Sequence, residues 1–201
     1  VSQNPSAPAQ ITAASPTPPG APLPQARYGH LPYQEADPSQ LAIIGTYGTG
    51  VDQRSESLEQ NAATAFENLR AAAAAAGIRI IPISGFRTIA EQEKLFQRQI
   101  SRQGSESAAA QLSAPPGYSE HHTGYAIDIG DGDQPTADLK FTFEETAVYR
   151  WIQQNGKEFG FELSFPPNNA QGVSFEPWHW RYVGTNRAKA IFSVAHTLQN
   201  R

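Results

Sequence analysis

The chain has 201 residues, a net charge of −4 and no cysteine. That length makes one domain with some chain to spare, and a core that needs no staples. The missing cysteine excludes disulfides, thiolate catalysis and cysteine-ligated zinc, the intermixed charges give no basic run for nucleic acid, and no apolar run nears the roughly 20 residues of a membrane span.

The chain begins at Val1 and contains no methionine. A start segment is therefore expected to have been removed, together with any signal peptide or membrane anchor. Residues 1–26 carry no charged side chain, and nine of the sixteen prolines precede residue 39. Such a stretch buries too little apolar surface to offset its ordering entropy. It reads as a semi-rigid extended linker, a spacer in front of a domain spanning residues 27–201.

Residues 27–54 read as loop and turn. Tyr28, Leu31, Tyr33, Leu41, Ile43 and Ile44 are available to pack on a core, and Gly45, Gly48 and Gly50 interrupt regular structure. A helix follows, with Ser57 and Gln60 as its capping box, an apolar face through Leu58, Ala62, Phe66, Leu69 and Ala73, and Gly77 as its stop. Residues 78–83 form a short buried strand. Thr88 and Glu91 make a second capping box, opening a helix to about Gln103 with Leu95, Phe96 and Ile100 inward and Gly104 as its end.

A short helix over residues 105–113 stops at Ala114-Pro115-Pro116-Gly117. Thr142 and Glu145 form a third box, before a helix using Phe143, Val148, Trp151 and Ile152. Phe161–Phe165 and Trp178–Val183 alternate like strands. Thr185 caps a last helix to about Leu198. This order predicts an α+β domain with a small, mainly antiparallel sheet.

The chemistry concentrates in two stretches, Ser119-Glu120-His121-His122-Thr123-Gly124-Tyr125-Ala126-Ile127-Asp128 and Phe175-Glu176-Pro177-Trp178-His179-Trp180-Arg181. A helix would separate His121 and Asp128 by about 10 Å along its axis, too far for bonds of about 2 Å to one zinc. A bend at Thr123-Gly124 followed by a strand from Tyr125 to Ile129 suits them better. Tyr125, Ile127 and Ile129 then face a core, and Asp128 lies between Ala126 and Gly130, with room for an ion and a substrate. In the second stretch His179 and Arg181 share one face, opposite Trp178, Trp180 and Tyr182. Glu176 falls in the lead-in, placed to act as a base. A zinc hydrolase needs three protein ligands, an open position and a nearby base.

From the residues alone a second reading stays open, in which His179 is a satisfied core histidine and the acids form buried ion pairs. Arg87, just before a helix N-terminus, is either a carboxylate receptor or a surface arginine paired with an acid, and the residues alone favour the latter. His122 is read as lying on the surface or just behind the site. His30 and His196 are read as ordinary surface residues.

Ser84-Gly85-Phe86-Arg87-Thr88 with Gln92, then Ser119-x-His121-x-x-Gly124-x-x-x-Asp128, then Glu176-Pro177-Trp178-His179-Trp180 form an ordered set. It resembles the VanY-type D-alanyl-D-alanine carboxypeptidases, a zinc peptidase family that includes LdcB-type L,D-carboxypeptidases and VanX-type dipeptidases. The resemblance runs from roughly Arg27 to Gly184.

The resemblance implies the hedgehog/D,D-peptidase-like zinc fold and zinc (Zn2+) held by His121, Asp128 and His179. It makes Glu176 the catalytic base and Arg87 the group that meets the substrate carboxylate or the developing oxyanion. Ser119 and Gln92 become substrate-binding residues. It further implies a peptidoglycan stem peptide or precursor as substrate; that substrate and the linker together lead to an expectation of action outside the cytoplasmic membrane, the charge pattern to one of no nucleic acid partner, and a monomer is expected. Removal of the last D-alanine is the reaction expected first. An L,D-carboxypeptidase, another peptidoglycan peptidase or a non-catalytic cell-wall binding domain are the alternatives. Phe86 and His122 depart from residues common at those positions in relatives.

Overall fold

In the computed structural model, residues 25–199 are described. The expected linker falls almost wholly on residues 1–24, outside them. The first regular structure is a hairpin of Leu41–Tyr47 (β1) and Arg54–Glu59 (β2), paired antiparallel. This corrects the expected loop. The ladder absorbs an irregularity between Ile43 and Gly45 instead of ending there. Ile43 and Tyr28 are exposed and stay out of the core, whereas Leu31, Tyr33 and Ile44 enter it.

The helix Gln60–Ala75 (α1) follows directly. Its cap is Glu59, whose carboxylate accepts the Asn61 and Ala62 N–H groups, so the expected Ser57–Gln60 box does not form. Ser57 is already committed to β2 opposite Ile43. The inward face of α1 is Ala62, Phe66, Leu69 and Ala73, as its spacing predicts. Next come Ile80–Ser84 (β3), Ile89–Gln103 (α2) and Glu106–Ala110 (α3). The Thr88–Glu91 capping box of α2 is present, and Gly104 ends the helix.

Ala126–Asp131 forms β4, and Ala147–Asn155 forms α4. Thr146 caps α4, four residues after the expected Thr142, because residues 141–145 form a tighter 3-10 turn that buries Phe143. Phe161–Leu163 (β5) and His179–Tyr182 (β6) complete the strands. Thr185 caps Asn186–Ile191 (α5) as expected, but a break at Phe192 separates it from Ser193–Gln199 (α6).

The main sheet has the order β3-β4-β6-β5, antiparallel throughout. Its core face carries Ile127 and Trp180, which are register partners. These pack with Phe66 and Leu69 of α1 and with Val148 and Ile152 of α4 in one cluster. Each such side chain contributes on the order of 2 kcal/mol by leaving water. The opposite face is polar and makes the site. There Ser84 on β3 is register partner to Asp128 on β4, and Asp128 to His179 on β6.

Candidate active site

Two strands and one turn deliver the cluster. Residues Glu120–Thr123 form a single 3-10 turn capped by Ser119, whose hydroxyl accepts the His121 N–H. Gly124 follows at φ +72°, a conformation that L side chains rarely adopt. A Cβ there would also lie 3.1 Å from Leu41 and 3.2 Å from the Glu59 nitrogen. The chain thus bends sharply into β4, which carries Asp128 back beside His121.

His121, Asp128 and His179 are buried, and one ligand atom from each lies within 4.8 Å of the others. His121 Nε2 is 3.3 Å from one Asp128 oxygen, and His179 Nδ1 is 3.0 Å from the other. Zinc bonds of about 2.0–2.1 Å at tetrahedral angles put neighbouring ligand atoms about 3.4 Å apart. The two histidine–aspartate distances match that spacing, and the 4.8 Å limit on the set leaves the three side chains close enough to hold a divalent metal.

The two histidines offer opposite nitrogens. Nδ1–H of His121 donates to the Gly85 carbonyl at 2.7 Å, which frees Nε2. His179 Nε2 lies 3.0 Å from Glu120, which leaves Nδ1 toward Asp128. Their titration differs for the same reason. Burial lowers the His121 pKa, and the Asp128 charge only partly offsets this. Burial also opposes charge on His179, but bonds to two carboxylates raise its pKa to about 10. Burial pushes the Asp128 carboxyl up, yet the two imidazoles beside it hold it well below the usual carboxylate range.

Glu176 stands in the lead-in to β6 with Oε2 3.8 Å from His179 Nδ1, close to the cluster without joining it. Its backbone N–H donates to Phe165 and its carbonyl accepts the His179 N–H. Burial raises the Glu176 pKa to about 7, with His179 opposing and the Asp128 and Glu120 charges adding to the rise.

Arg87 lines the same cleft. Its guanidinium donates to Gln92 Oε1 and to Ser84 Oγ, both at 2.7 Å. Two of its five N–H donors are thus used, and the fork keeps others for a ligand. Burial lowers its pKa, while Asp128 and Glu56 pull it back up. Gln92 is itself fixed, since its amide donates to Ser113 Oγ at 3.0 Å and to the Ala114 carbonyl at 2.6 Å. Its place in the cleft is that of a brace for Arg87. Ser119 also lines the cleft, its hydroxyl proton uncommitted among the described residues.

A model of the family VanY: D-alanyl-D-alanine carboxypeptidase matches residues 55–185. The chain belongs to the VanY family. A D-alanyl-D-alanine carboxypeptidase of Enterococcus faecalis is 34% identical over 173 residues, covering 80% of this chain and 62% of the relative. The solved LdcB LD-carboxypeptidase aligns at 32% identity with a TM-score of 0.66, covering 85% of this chain and 80% of that one. A D,D-pentapeptidase VanY from a VanB-type resistance cassette, solved with Zn(II), aligns at 29% identity with a TM-score of 0.58, covering 87% and 92%. The chain spans about half to two thirds of the length of the first curated relatives it matches, at 52%, 62% and 63%. The zinc-peptidase architecture expected from the sequence is the one observed.

The VanY-family chain also carries site residues that its spacing did not single out. His122 is fully buried just behind the site, one of the two places expected for it, and not on the surface. Its Nδ1–H donates to the Arg87 carbonyl at 2.7 Å, and its Nε2 accepts the Gly117 N–H at 3.1 Å. Adjacent histidines therefore grip Gly85 and Arg87 together, and the Arg87 N–H returns a bond to the His121 carbonyl. Gly85 lies so close to β2 that a Cβ would sit 2.2 Å from the Ser57 carbonyl oxygen. His30 is likewise buried, against the expectation of a surface residue, with Nε2 bonded to the Ala110 carbonyl. His196 is partly covered and pairs with Glu162.

The cleft has a volume of about 480 Å³. Leu112, Leu139 and Phe141 line it, and all three are exposed. Phe141 leans on Trp178 with ring centroids 6.0 Å apart. No helix among the described residues is long and apolar enough to cross a membrane.

Proposed function

We propose that the chain is a zinc-dependent carboxypeptidase that removes the C-terminal D-alanine from peptidoglycan stem peptides. It acts on the outer side of the cytoplasmic membrane, where that substrate lies. Residues 27–201 form the catalytic unit and work as a monomer, and residues 1–26 act as a spacer. The observation that carries this reading is convergence in one cleft. His121 Nε2, Asp128 and His179 Nδ1 face one point, Glu176 stands beside them, and Arg87 offers a guanidinium fork.

Zinc held by these three side chains supplies a Lewis acid for water and for a peptide carbonyl oxygen. Glu176 accepts a proton from the attacking water, and the carbon–nitrogen bond breaks as Glu176 returns that proton to the leaving amine. Burial of Glu176 raises its proton affinity above that of a free carboxyl, which suits a group that must take up a proton and give it back. Arg87, steadied by Gln92 and Ser84, pairs with the free C-terminal carboxylate, which favours removal of a terminal residue over internal cleavage. Ser119 donates its hydroxyl proton to the same end of the peptide. The acyl part lies along Leu112, Leu139 and Phe141.

A second reading is that the enzyme cleaves an L,D bond on the same site. The likeness to LdcB, at a TM-score of 0.66 against 0.58 for VanY, favours it. Zinc-loaded protein should be given pentapeptide and tetrapeptide stems, with products weighed by mass spectrometry. Loss of one alanine from the pentapeptide alone supports the D,D reading, and loss from the tetrapeptide supports the L,D reading. Neither product from either stem ends the proposal.

A further inference from the structure

A buried carboxylate behind the cluster has no part in the chemistry above. Glu120 is almost wholly enclosed, with Oε2 3.0 Å from His179 Nε2 and Oε1 2.9 Å from an Arg181 terminal nitrogen. Arg181 is fully buried. Its Nε donates to Glu162 at 2.7 Å, and its other terminal nitrogen reaches Gln199 of α6 at 3.4 Å. Arg181 lies two residues after His179 on β6, so both side chains leave the same face. Glu120 sits in the 3-10 turn immediately before His121. One carboxylate thus joins the two stretches that supply the ligands.

The chemistry of imidazole gives this contact a consequence. An imidazole that binds a metal is neutral, with one N–H and one lone pair for the metal, whatever its charge in the metal-free protein. Glu120, paired with Arg181, is an acceptor, so the hydrogen of His179 must be on Nε2. The lone pair is then on Nδ1, the nitrogen beside Asp128. His121 receives the opposite instruction from the neutral Gly85 carbonyl, which holds its hydrogen on Nδ1. Arg181 lets a carboxylate occupy this dry position, because an unpaired charge would not persist there. A carboxylate behind an imidazole also makes its free nitrogen a stronger donor.

We propose that Glu120, held by Arg181, is a positioning residue for the metal centre, fixing the ring of His179 so that Nδ1 faces the ion and strengthening its hold on a divalent cation. This rests on the zinc reading of His121, Asp128 and His179. A buried ion pair that merely supports the fold would show the same distances, so the test must separate acceptor from ion pair.

Two double variants do this. Glu120→Gln with Arg181→Met keeps a hydrogen-bond acceptor for His179 Nε2–H but removes the ion pair. Glu120→Leu with Arg181→Met removes both. Zinc affinity is measured against a competing chelator. The nitrogen shifts of the histidine rings, read by NMR in the zinc-loaded proteins, report which nitrogen of His179 carries hydrogen. The leucine pair should bind zinc about 10–100-fold more weakly than the parent, and the glutamine pair should recover most of that loss. The hydrogen should stay on Nε2 in the glutamine pair and lose its fixed place in the leucine pair. Equal affinity in all three proteins, or an equal loss in both variants, overturns the positioning role while leaving the zinc reading intact. A parent protein that binds no zinc overturns the reading itself.

Discussion

Replacing Glu176 by glutamine should stabilise the metal-free protein at alkaline pH while destroying its activity. The Glu176 pKa is raised by burial from 4.5 to about 7, and its side chain is 16% exposed. Between those two values the folded protein keeps a proton that the unfolded chain has released. The contribution of this group to stability therefore falls as pH rises from about 4.5, and the loss is complete above about 7. At about 1.4 kcal/mol per unit, the full loss is on the order of 3 kcal/mol. Glutamine titrates nowhere in this range. Unfolding of chelator-treated Glu176→Gln should then match the parent near pH 4 and exceed it by about 3 kcal/mol near pH 8. For a domain of this size that is a rise of roughly 6–12 °C in melting temperature. The chelator matters because a dication beside the carboxyl would itself lower the pKa. The same variant, loaded with zinc, should lose about 10²–10⁴-fold in turnover, the range of a proton-transfer group. A stability gap that is the same at both pH values would refute the buried-carboxyl reasoning. Retained turnover would remove Glu176 from the reaction.

Two further perturbations probe the groups around the cluster. Arg87→Ala should lower kcat/KM by about 10–10²-fold on peptides with a free C-terminus, the range for a lost hydrogen bond to a charged group. Peptides ending in an amide should be nearly unaffected, and an equal loss on both would argue against carboxylate recognition by Arg87. His122→Ala should leave the Arg87 carbonyl and the Gly117 N–H without their partner, lowering stability by about 1–3 kcal/mol in denaturant titrations. Its KM should rise with the loosened Arg87, whereas zinc stoichiometry should hold at one.

The sheet face that carries the site was legible because its strands alternate plainly. Ile127 and Ile129 face the core while Asp128 stands between Ala126 and Gly130, and the structure keeps that division. The capping box at Thr88 was legible for the same local reason. The hairpin was not. In β2 the inward positions are Glu56 and Leu58, and Glu56 is buried because it accepts the Gly85 N–H at 2.8 Å. One oxygen of that carboxylate meets a partner 29 residues away and the other pairs with Arg54, so no local hydrophobic pattern marks the strand.

His122 stays open in the sequence between the surface and a place just behind the site, because nothing in it marks residues 120–123 as a 3-10 turn. There, successive side chains sit about a third of a turn apart, and two neighbours can both be buried. Glu120 was invisible because its partners are 59 and 61 residues away, on a strand whose register the sequence leaves open. The zinc ligands themselves were named from a resemblance as well as from spacing. Spacing alone favours a satisfied core histidine at position 179 over a metal ligand.

The most direct test is a crystal of the zinc-loaded protein, with diffraction recorded on both sides of the zinc absorption edge. One anomalous peak should lie about 2 Å from His121 Nε2, an Asp128 oxygen and His179 Nδ1, with Glu176 beside it and not bound. A peak elsewhere, or none at this cluster in zinc-saturated crystals, would contradict the account.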